Sequence, residues 1–344
     1  MNGKAPVIDE AGDTIAPHVS VIVLNYNGLK WLSACLNALV GQVDAPAFEI
    51  VFVDNGSTDG SSAYVESRYP GVRIVQTGRN LGYAGGNNAG ARLARGAWLA
   101  FLNNDTVAAP DWLARLDEAA IAREDAPLVT SRIELIAHPG SLDSAGDGYL
   151  RAGGAYKRGH GAPIGEWLQS REVFGACGAG FLIRRDVFDQ LAGFDEDFFM
   201  VYEDVDLSYR ARLAGHRCWY AADAIVRHAG SATLGTVSAQ AVYYGQRNLE
   251  WTWLKNTPPG LLLRTLPGHL AYSLAGVAHY IASGRGGAAI RGKLDALLGV
   301  PRLLRKRRAV QRERRVDLAS LEGHLERGWI ALKRTEKARR REAR

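Results

Sequence analysis

Short apolar runs alternate with helically spaced apolar residues through the first third of the chain. Residues 19–24 (VSVIVL), 48–53, 72–75 and 97–102 are runs of four to six residues, the length and composition of buried strands. After the first run, Leu29, Leu32, Leu36 and Leu39 fall at helical spacing, and after the third a Gly- and Asn-rich stretch, 80–90, opens a helix. This alternation predicts a parallel sheet in a layered α/β architecture. Ligands of such sheets sit beyond the carboxyl ends of the strands, and polar residues stand at three of those ends: Asn25, Asp54 and Asp105. Residues 131–167 are polar, Gly-rich and weakly periodic, and predict loops with short strands. Regular patterning returns at 181–183, 187–191 and 206–214, and from 238 onward the chain reads as wholly helical. The organisation expected is a tail over 1–18, a main unit over 19–237 with halves at 19–130 and 131–237, and a helical, basic region over 238–344.

Composition supports a folded chain. Of 344 residues, 47% are hydrophobic and 23% charged, which excludes a disordered or collagen-like protein. Three cysteines, Cys35, Cys177 and Cys218, form no CxxC pair; this argues against a disulfide scaffold or a cysteine zinc site and points to a reducing compartment. The net charge of +6 is uneven. Residues 301–344 carry 16 Lys and Arg against six Asp and Glu, so the first 300 residues are net −4 and the basic balance belongs to the C-terminal region. Residues 1–17 hold one Lys and no apolar run, so no secretory signal is expected.

Each candidate residue admits a structural and a chemical role. Asp105, directly after an apolar strand, is placed to hold a divalent cation, which needs hard oxygen ligands on a rigid support; it could equally cap the turn before Pro110. Asp54, in Asp-Asn-Gly, suits an Asx turn or an acceptor for a nucleotide's N–H or ribose hydroxyl. The stretch 79–88 (RNLGYAGGNN) has neither GxxxxGK[ST] nor GxGxxG spacing, although its glycines would let backbone approach a ligand. Glu203, Asp204 and Asp206 crowd the start of a helix, where carboxylates favour the dipole. Their aromatic flanks would also desolvate one of them and raise its pKa into the range of a general base. His228 follows a strand-like run and could be a core histidine or a ligand.

The order of these segments is more specific than any one of them. The series VSVIVLNYNG, VDNGSTDGS, NLGYAGGNN, LNNDT, GAGFLIRR, GFDEDFFMVYEDVDLSYR and RHAGS, spanning 19–231, resembles family 2 glycosyltransferases, and within them the bacterial rhamnosyltransferase-like subgroup. The resemblance implies a GT-A fold, a Rossmann-like nucleotide-binding parallel or mixed sheet flanked by helices, here with a helical C-terminal extension. It also implies transfer of a sugar, with inversion, from a nucleoside diphosphate donor to a hydroxyl of a glycan or lipid-linked acceptor in cell-surface polysaccharide assembly. Carried over by position, Asp54 contacts the base or ribose of the donor, and Asn25 and Gly82 line the same pocket. Asn103, Asn104 and Asp105 occupy the metal-binding DxD position. Asp204 is the general base with Glu203 beside it, and His228 reaches the metal, Mg²⁺ or Mn²⁺. Asn103 departs from the acidic first member of that motif, which predicts weak binding of free metal and tighter binding of a metal–nucleotide complex. The subgroup implies dTDP-rhamnose as donor; UDP-galactofuranose, UDP-hexose and GDP-mannose are alternatives. A non-catalytic nucleotide-binding scaffold is the alternative class, against which the retained Asp54, Asp105, Glu203, Asp204 and His228 speak.

The C-terminal region adds a membrane question. Residues 265–284 contain no Asp, Glu, Lys or Arg over 20 positions, enough to span a bilayer. Pro267, His269, Ser273 and His279 interrupt the run, while Leu266, Leu270, Leu274, Val277 and Ile281 recur at helical spacing. That pattern predicts an amphipathic helix, packed on the main unit or lying in a membrane interface. The charge run beyond Pro301, with Leu318, Leu321, Leu325 and Leu332 between its basic residues, carries no nucleic-acid motif. Attraction of 301–344 to anionic lipid predicts a cytoplasmic protein peripheral to the inner face of the cytoplasmic membrane. The same helices could instead form a homodimer interface.

Overall fold

The computed structural model describes residues 16–230 and 238–342; Ser231 of the last motif and the boundary expected at 237 fall outside them. The first half runs β1 (Val19–Asn25), α1 (Leu29–Val40), β2 (Phe48–Asp54), α2 (Ser61–Arg68), β3 (Arg73–Gln76), α3 (Gly82–Leu93) and β4 (Trp98–Asn103). Its strands pair in parallel in the order β4-β1-β2-β3. All four predicted strands are present within a residue of their expected bounds. They were legible because both faces are buried: on β1, Val21 and Val23 enter the cluster with Leu32, Leu36 and Trp112, while Ile22 enters the one with Val53, Phe101 and Phe181. Helix α3 lies close on this sheet, since a Cβ at Gly90 would fall 2.7 Å from both Ile22 and Val53.

The second half runs β5 (Thr106–Ala108), α4 (Trp112–Ala122), β6 (Leu128–Leu135), β7 (Leu142–Ser144), β8 (Asp147–Leu150), β9 (Ala155–Lys157), β10 (Arg171–Val173), β11 (Gly180–Arg184), α5 (Arg185–Gln190), α6 (Glu203–Leu213) and β12 (Cys218–His228). It extends the sheet to β10-β12-β6-β11-β4-β1-β2-β3, with β11 antiparallel to both neighbours, so the sheet is mixed. Here the sequence reading needs correction: β6 is a full eight-residue strand reaching into the stretch expected to be loops. Thr130, Ser131 and Arg132 hide it, since they are polar yet buried. Ser131 Oγ accepts from Trp112 Nε1 at 2.9 Å and Thr130 Oγ1 from the Cys177 N–H at 3.2 Å.

Beyond 238 come α7 (Ala239–Asn256), α8 (Pro259–Ala282), α9 (Gly286–Leu298), α10 (Val300–Arg312), α11 (Leu318–Gly323) and α12 (Trp329–Glu342). One short strand, β13 (Leu325–Glu326), breaks the expected all-helical run by pairing with β8. The basic C-terminal region is also less free than its charge suggested. Leu321 and Leu325 are buried with Tyr149, Phe174 and Tyr209. Arg302 and Lys306 pair with Asp197, and Arg307 donates to the Thr257 carbonyl at 2.6 Å.

Candidate active site

At the carboxyl ends of the parallel strands, the predicted donor residues form one polar chain. Asn25 Oδ1 accepts from Asn104 Nδ2 at 2.6 Å, and Asn25 Nδ2 donates to Ser57 Oγ at 3.1 Å. Ser57 in turn donates its N–H to Asp54 Oδ1 at 2.8 Å, and Ser62 Oγ bonds Asp54 Oδ2. Asp54 therefore closes an Asx-type turn while sitting beside Asn25 and Asn104. Gly82 is buried with φ +73°, and a Cβ there would lie 2.3 Å from the Phe199 carbonyl oxygen. The residue lets the start of α3 press against the loop before α6.

Asp105 and His228 come together as expected, across the pairing of β5 with β12. His228 Nε2 lies 3.2 Å from Asp105 Oδ1. That spacing is close to the edge of an octahedral Mg²⁺ or Mn²⁺ shell, about 3 Å, and a carboxylate with an imidazole is a suitable donor pair. The ring's other nitrogen, Nδ1, lies 2.8 Å from Asp143 Oδ2. Burial would push the His228 pKa down, but Asp105 and Asp143 outweigh it and raise it to about 8. Asp143 is itself buried, yet Lys157 at 2.7 Å, His160 and His228 hold its carboxyl well below the usual range.

Asp204, the predicted base, stands at the start of α6. Its Oδ2 accepts the Gly178 N–H at 2.8 Å and its Oδ1 accepts the Val205 N–H at 2.8 Å. Tyr83 Oη donates to the Gly178 carbonyl at 2.7 Å and so braces the residue whose N–H holds the base. Burial raises the Asp204 pKa against these two bonds. Asp147 and the Cys177 thiol approach it, the ligand atoms of the three lying within 4.8 Å of one another. Burial and the Asp204 charge push Asp147 well above the carboxylate range, and burial keeps Cys177 protonated. Glu203 is buried, its pKa raised by burial and by Asp204, and its Oε2 has no hydrogen-bond partner among the described residues.

The loop that delivers Asp204 is unusual. Phe199, Val201 and Tyr202 all have positive φ, a sparsely populated region for residues with a Cβ. The helical extension holds them there. Asn248 Nδ2 on α7 donates to the Phe198, Met200 and Val201 carbonyls at 2.7–2.9 Å, and Arg247 donates to Asp197 and Phe198. Sequence reasoning missed Asp143, Asp147 and Lys157, which lie in a Gly-rich stretch with no motif, and the bracing role of Asn248.

With this geometry in view, residues 20–192 match glycosyl transferase family 2. The chain belongs to that family. A relative is the N-acetylglucosaminyl-diphospho-decaprenol L-rhamnosyltransferase of Mycobacterium tuberculosis, 31% identical over 233 residues, covering 60% of this chain and 75% of the relative. An uncharacterized protein of Sinorhizobium fredii is 30% identical over 233 residues, or 64% of this chain, which spans only 25% of that longer protein. Among solved structures, Staphylococcus aureus TarS in complex with UDP-GlcNAc superposes with a TM-score of 0.54 at 20% identity, covering 85% of this chain and 88% of that one. The mannosyltransferase PcManGT of Pyrobaculum calidifontis, in complex with GDP-Man and Mn²⁺, gives 0.52 at 19%, covering 87% and 85%. This glycosyltransferase therefore has the GT-A fold expected of its motifs, with C-terminal helices added. Among its described residues no helix is long and apolar enough to cross a membrane.

Proposed function

We propose that this family 2 enzyme moves a sugar, with inversion, from a nucleoside diphosphate donor to a hydroxyl of a glycan or lipid-linked acceptor, in assembly of cell-surface polysaccharide. Rhamnose from dTDP-rhamnose is the favoured donor, in keeping with the name of the mycobacterial relative; UDP-galactofuranose, UDP-hexose and GDP-mannose are the alternatives. The observation that carries the reading is Asp204: a carboxylate aimed by the Gly178 N–H, with its pKa raised by burial.

The donor lies across Asn25, Asp54, Gly82 and Asn104. Asp105 and His228 would hold Mg²⁺ or Mn²⁺ there, which supplies Lewis-acid stabilisation of the departing diphosphate. Asp204 takes the proton of the acceptor hydroxyl as that oxygen attacks the anomeric carbon, where positive charge develops. Burial and the Asp204 charge raise the pKa of Glu203, so of the two neighbouring carboxyls Asp204 is the one left ionised to accept the proton. The protein works at the cytoplasmic face of the membrane, with the exposed basic side chains of 301–344 drawn to anionic lipid.

A thermal-shift panel with dTDP-rhamnose, UDP-galactose, UDP-GlcNAc and GDP-mannose, each with and without Mn²⁺, tests the donor. A ligand at 100 times its Kd stabilises by about 2.7 kcal/mol. A metal-dependent shift with dTDP-rhamnose alone supports the rhamnosyl reading, and a shift with another donor replaces it. Absence of any shift, together with no sugar transfer to a lipid-linked acceptor, overturns the catalytic reading.

A further inference from the structure

Helix α8 is inside out. Polar groups at its middle point inward: His269 stacks on Trp253 with ring centroids 3.7 Å apart, its Nε2 lies 2.7 Å from Glu250, and Ser273 donates to Glu250 at 2.8 Å. Beyond Leu261, which is buried, a stripe of large apolar side chains points outward, with Leu263 73%, Leu274 69% and Ile281 57% exposed, alongside Leu266 and Leu270. Helix α9 repeats the inversion. Ala289, Gly292 and Ala296 face the protein, while Ile290, Leu294, Leu297 and Leu298 face out. Between the two helices runs an apolar groove of about 450 Å³, walled by Leu274, Val277, Ile290, Leu294 and Leu297. Single exposed leucines are ordinary, but two successive helices that present them together mark a surface made to be covered.

Charge decides what covers it. Residues 257–312 hold ten Lys and Arg and one acid, Asp295, and that acid accepts a hydrogen bond from Tyr243. Arg291 lies on α9 next to Ile290, and Arg305 and Arg308 are exposed on α10, the helix that follows. A second copy of the chain would set the same cations against one another, and like-charge juxtaposition costs association. An anionic bilayer satisfies both features, taking the leucines into its interface and the cations onto its phosphates. We infer that the outward face of α8 and α9 rests in the headgroup region of an anionic membrane, with Arg291, Arg305 and Arg308 at its rim. The inner face of α8 backs directly onto the turn between β8 and β9, where Gly153 and Gly154 pack against His269 and Tyr272. The membrane then lies behind the hairpin that carries Asp147 and Lys157. This attachment is distinct from one through the basic C-terminal region as a whole, where Arg302, Lys306 and Arg307 are engaged within the fold, and it rests on no assumption about donor or reaction.

The test is co-sedimentation of the full chain with vesicles of phosphatidylcholine alone or mixed with phosphatidylglycerol. Binding is expected to the mixed vesicles and not to the neutral ones. Replacing Leu263→Gln with Leu274→Gln should lower the partition coefficient by about tenfold or more. Arg305→Glu with Arg308→Glu, which leaves the leucines in place, should lower it by about tenfold. Arg334→Glu on α12 should lower it by less than either double variant. Release of nucleoside diphosphate from the donor in vesicle-free buffer should be the same in the leucine variant as in the parent, which separates loss of this surface from failure of the catalytic reading. Failure of the parent chain to bind mixed vesicles overturns the inference, as does binding that survives both double variants. So does a parent dimer in analytical ultracentrifugation that the leucine variant converts to monomer, since a second copy would then be the occupant.

Discussion

Asp204 and Asp206 stand two residues apart on α6 and live in opposite electrostatic surroundings. Asp206, fully buried, has its Oδ2 bonded by Arg210 Nε at 2.8 Å and its Oδ1 by Lys255 Nζ at 2.7 Å and Asn256 Nδ2 at 2.8 Å. Lys255 continues to Asp195 at 2.7 Å, and the cations beside Asp195 hold its carboxyl below the usual range. Asp204 has two backbone N–H groups and, among the described residues, no cation bonded to it, Lys157 acting only through its charge, and its neighbours Glu203 and Asp147 are acids held above their usual range by burial and by its charge. A buried carboxylate with its charge matched ties α6 to α7. One left unmatched is a reserve of proton affinity, the arrangement a base requires and a scaffold would have no reason to keep.

The comparison breaks first at Asp204. Asp204→Asn keeps the shape and the Gly178 contact but removes the proposed base, so transfer should fall by about 10²–10⁴-fold. Donor affinity by calorimetry should stay within a few-fold and the unfolding midpoint should not fall. Near-parental turnover would remove Asp204 from the mechanism.

Asp206→Asn should do the reverse. It leaves Arg210 and Lys255 buried with one counter-charge fewer, and breaking such a pair costs about 3–5 kcal/mol. Denaturant unfolding would read that loss, while turnover per folded molecule stays within a few-fold. If the unfolding curve did not move, the matched cluster would not be holding the helices together.

Asp143 sits between the two behaviours. It is matched by Lys157 like a structural residue, yet it also orients His228, whose far nitrogen faces Asp105. Partners of this kind behind a metal-binding histidine are commonly worth 10- to 100-fold in metal affinity. Asp143→Asn should therefore weaken Mn²⁺-dependent nucleotide binding by about that factor while leaving metal-free nucleotide binding alone. Equal loss of both would make Asp143 a fold residue only.

These two clusters also mark what the chain reveals of itself. The parallel strands were legible because runs buried on both faces leave a continuous apolar signature, and the same runs gave the place of Asn25, Asp54 and Asp105 at or just beyond the strand ends. Asp204 was legible through its motif. Asp143, Asp147 and Lys157 were not, since they meet Asp204 and His228 only after β7, β8 and β9 have folded across, and no local spacing encodes that. Nor did any pattern in α7 announce that Asn248 would hold three carbonyls of the strained loop at 198–201. The outward leucines of α8 were visible as a stripe, but a helical stripe reads the same whether it faces the protein or away from it.

The smallest effect tests how finely the unmatched site is tuned. Tyr83 Oη donates to the Gly178 carbonyl at 2.7 Å, and the Gly178 N–H donates to Asp204 at 2.8 Å, so the hydroxyl acts on the base through the backbone of one residue. Tyr83→Phe removes a hydrogen bond worth about 0.5–1.5 kcal/mol, a two- to tenfold effect on kcat. The direction in pH is fixed by the chemistry. The Gly178 N–H stabilises ionised Asp204 against the burial that raises its pKa, so a loosened peptide raises that pKa further. The base works only when ionised, so activity is lost as pH falls through its pKa, and the acid limb of the kcat profile should shift to higher pH in the variant. A lower kcat with an unmoved limb would mean that Tyr83 supports the packing around Phe194 and not the proton affinity of Asp204.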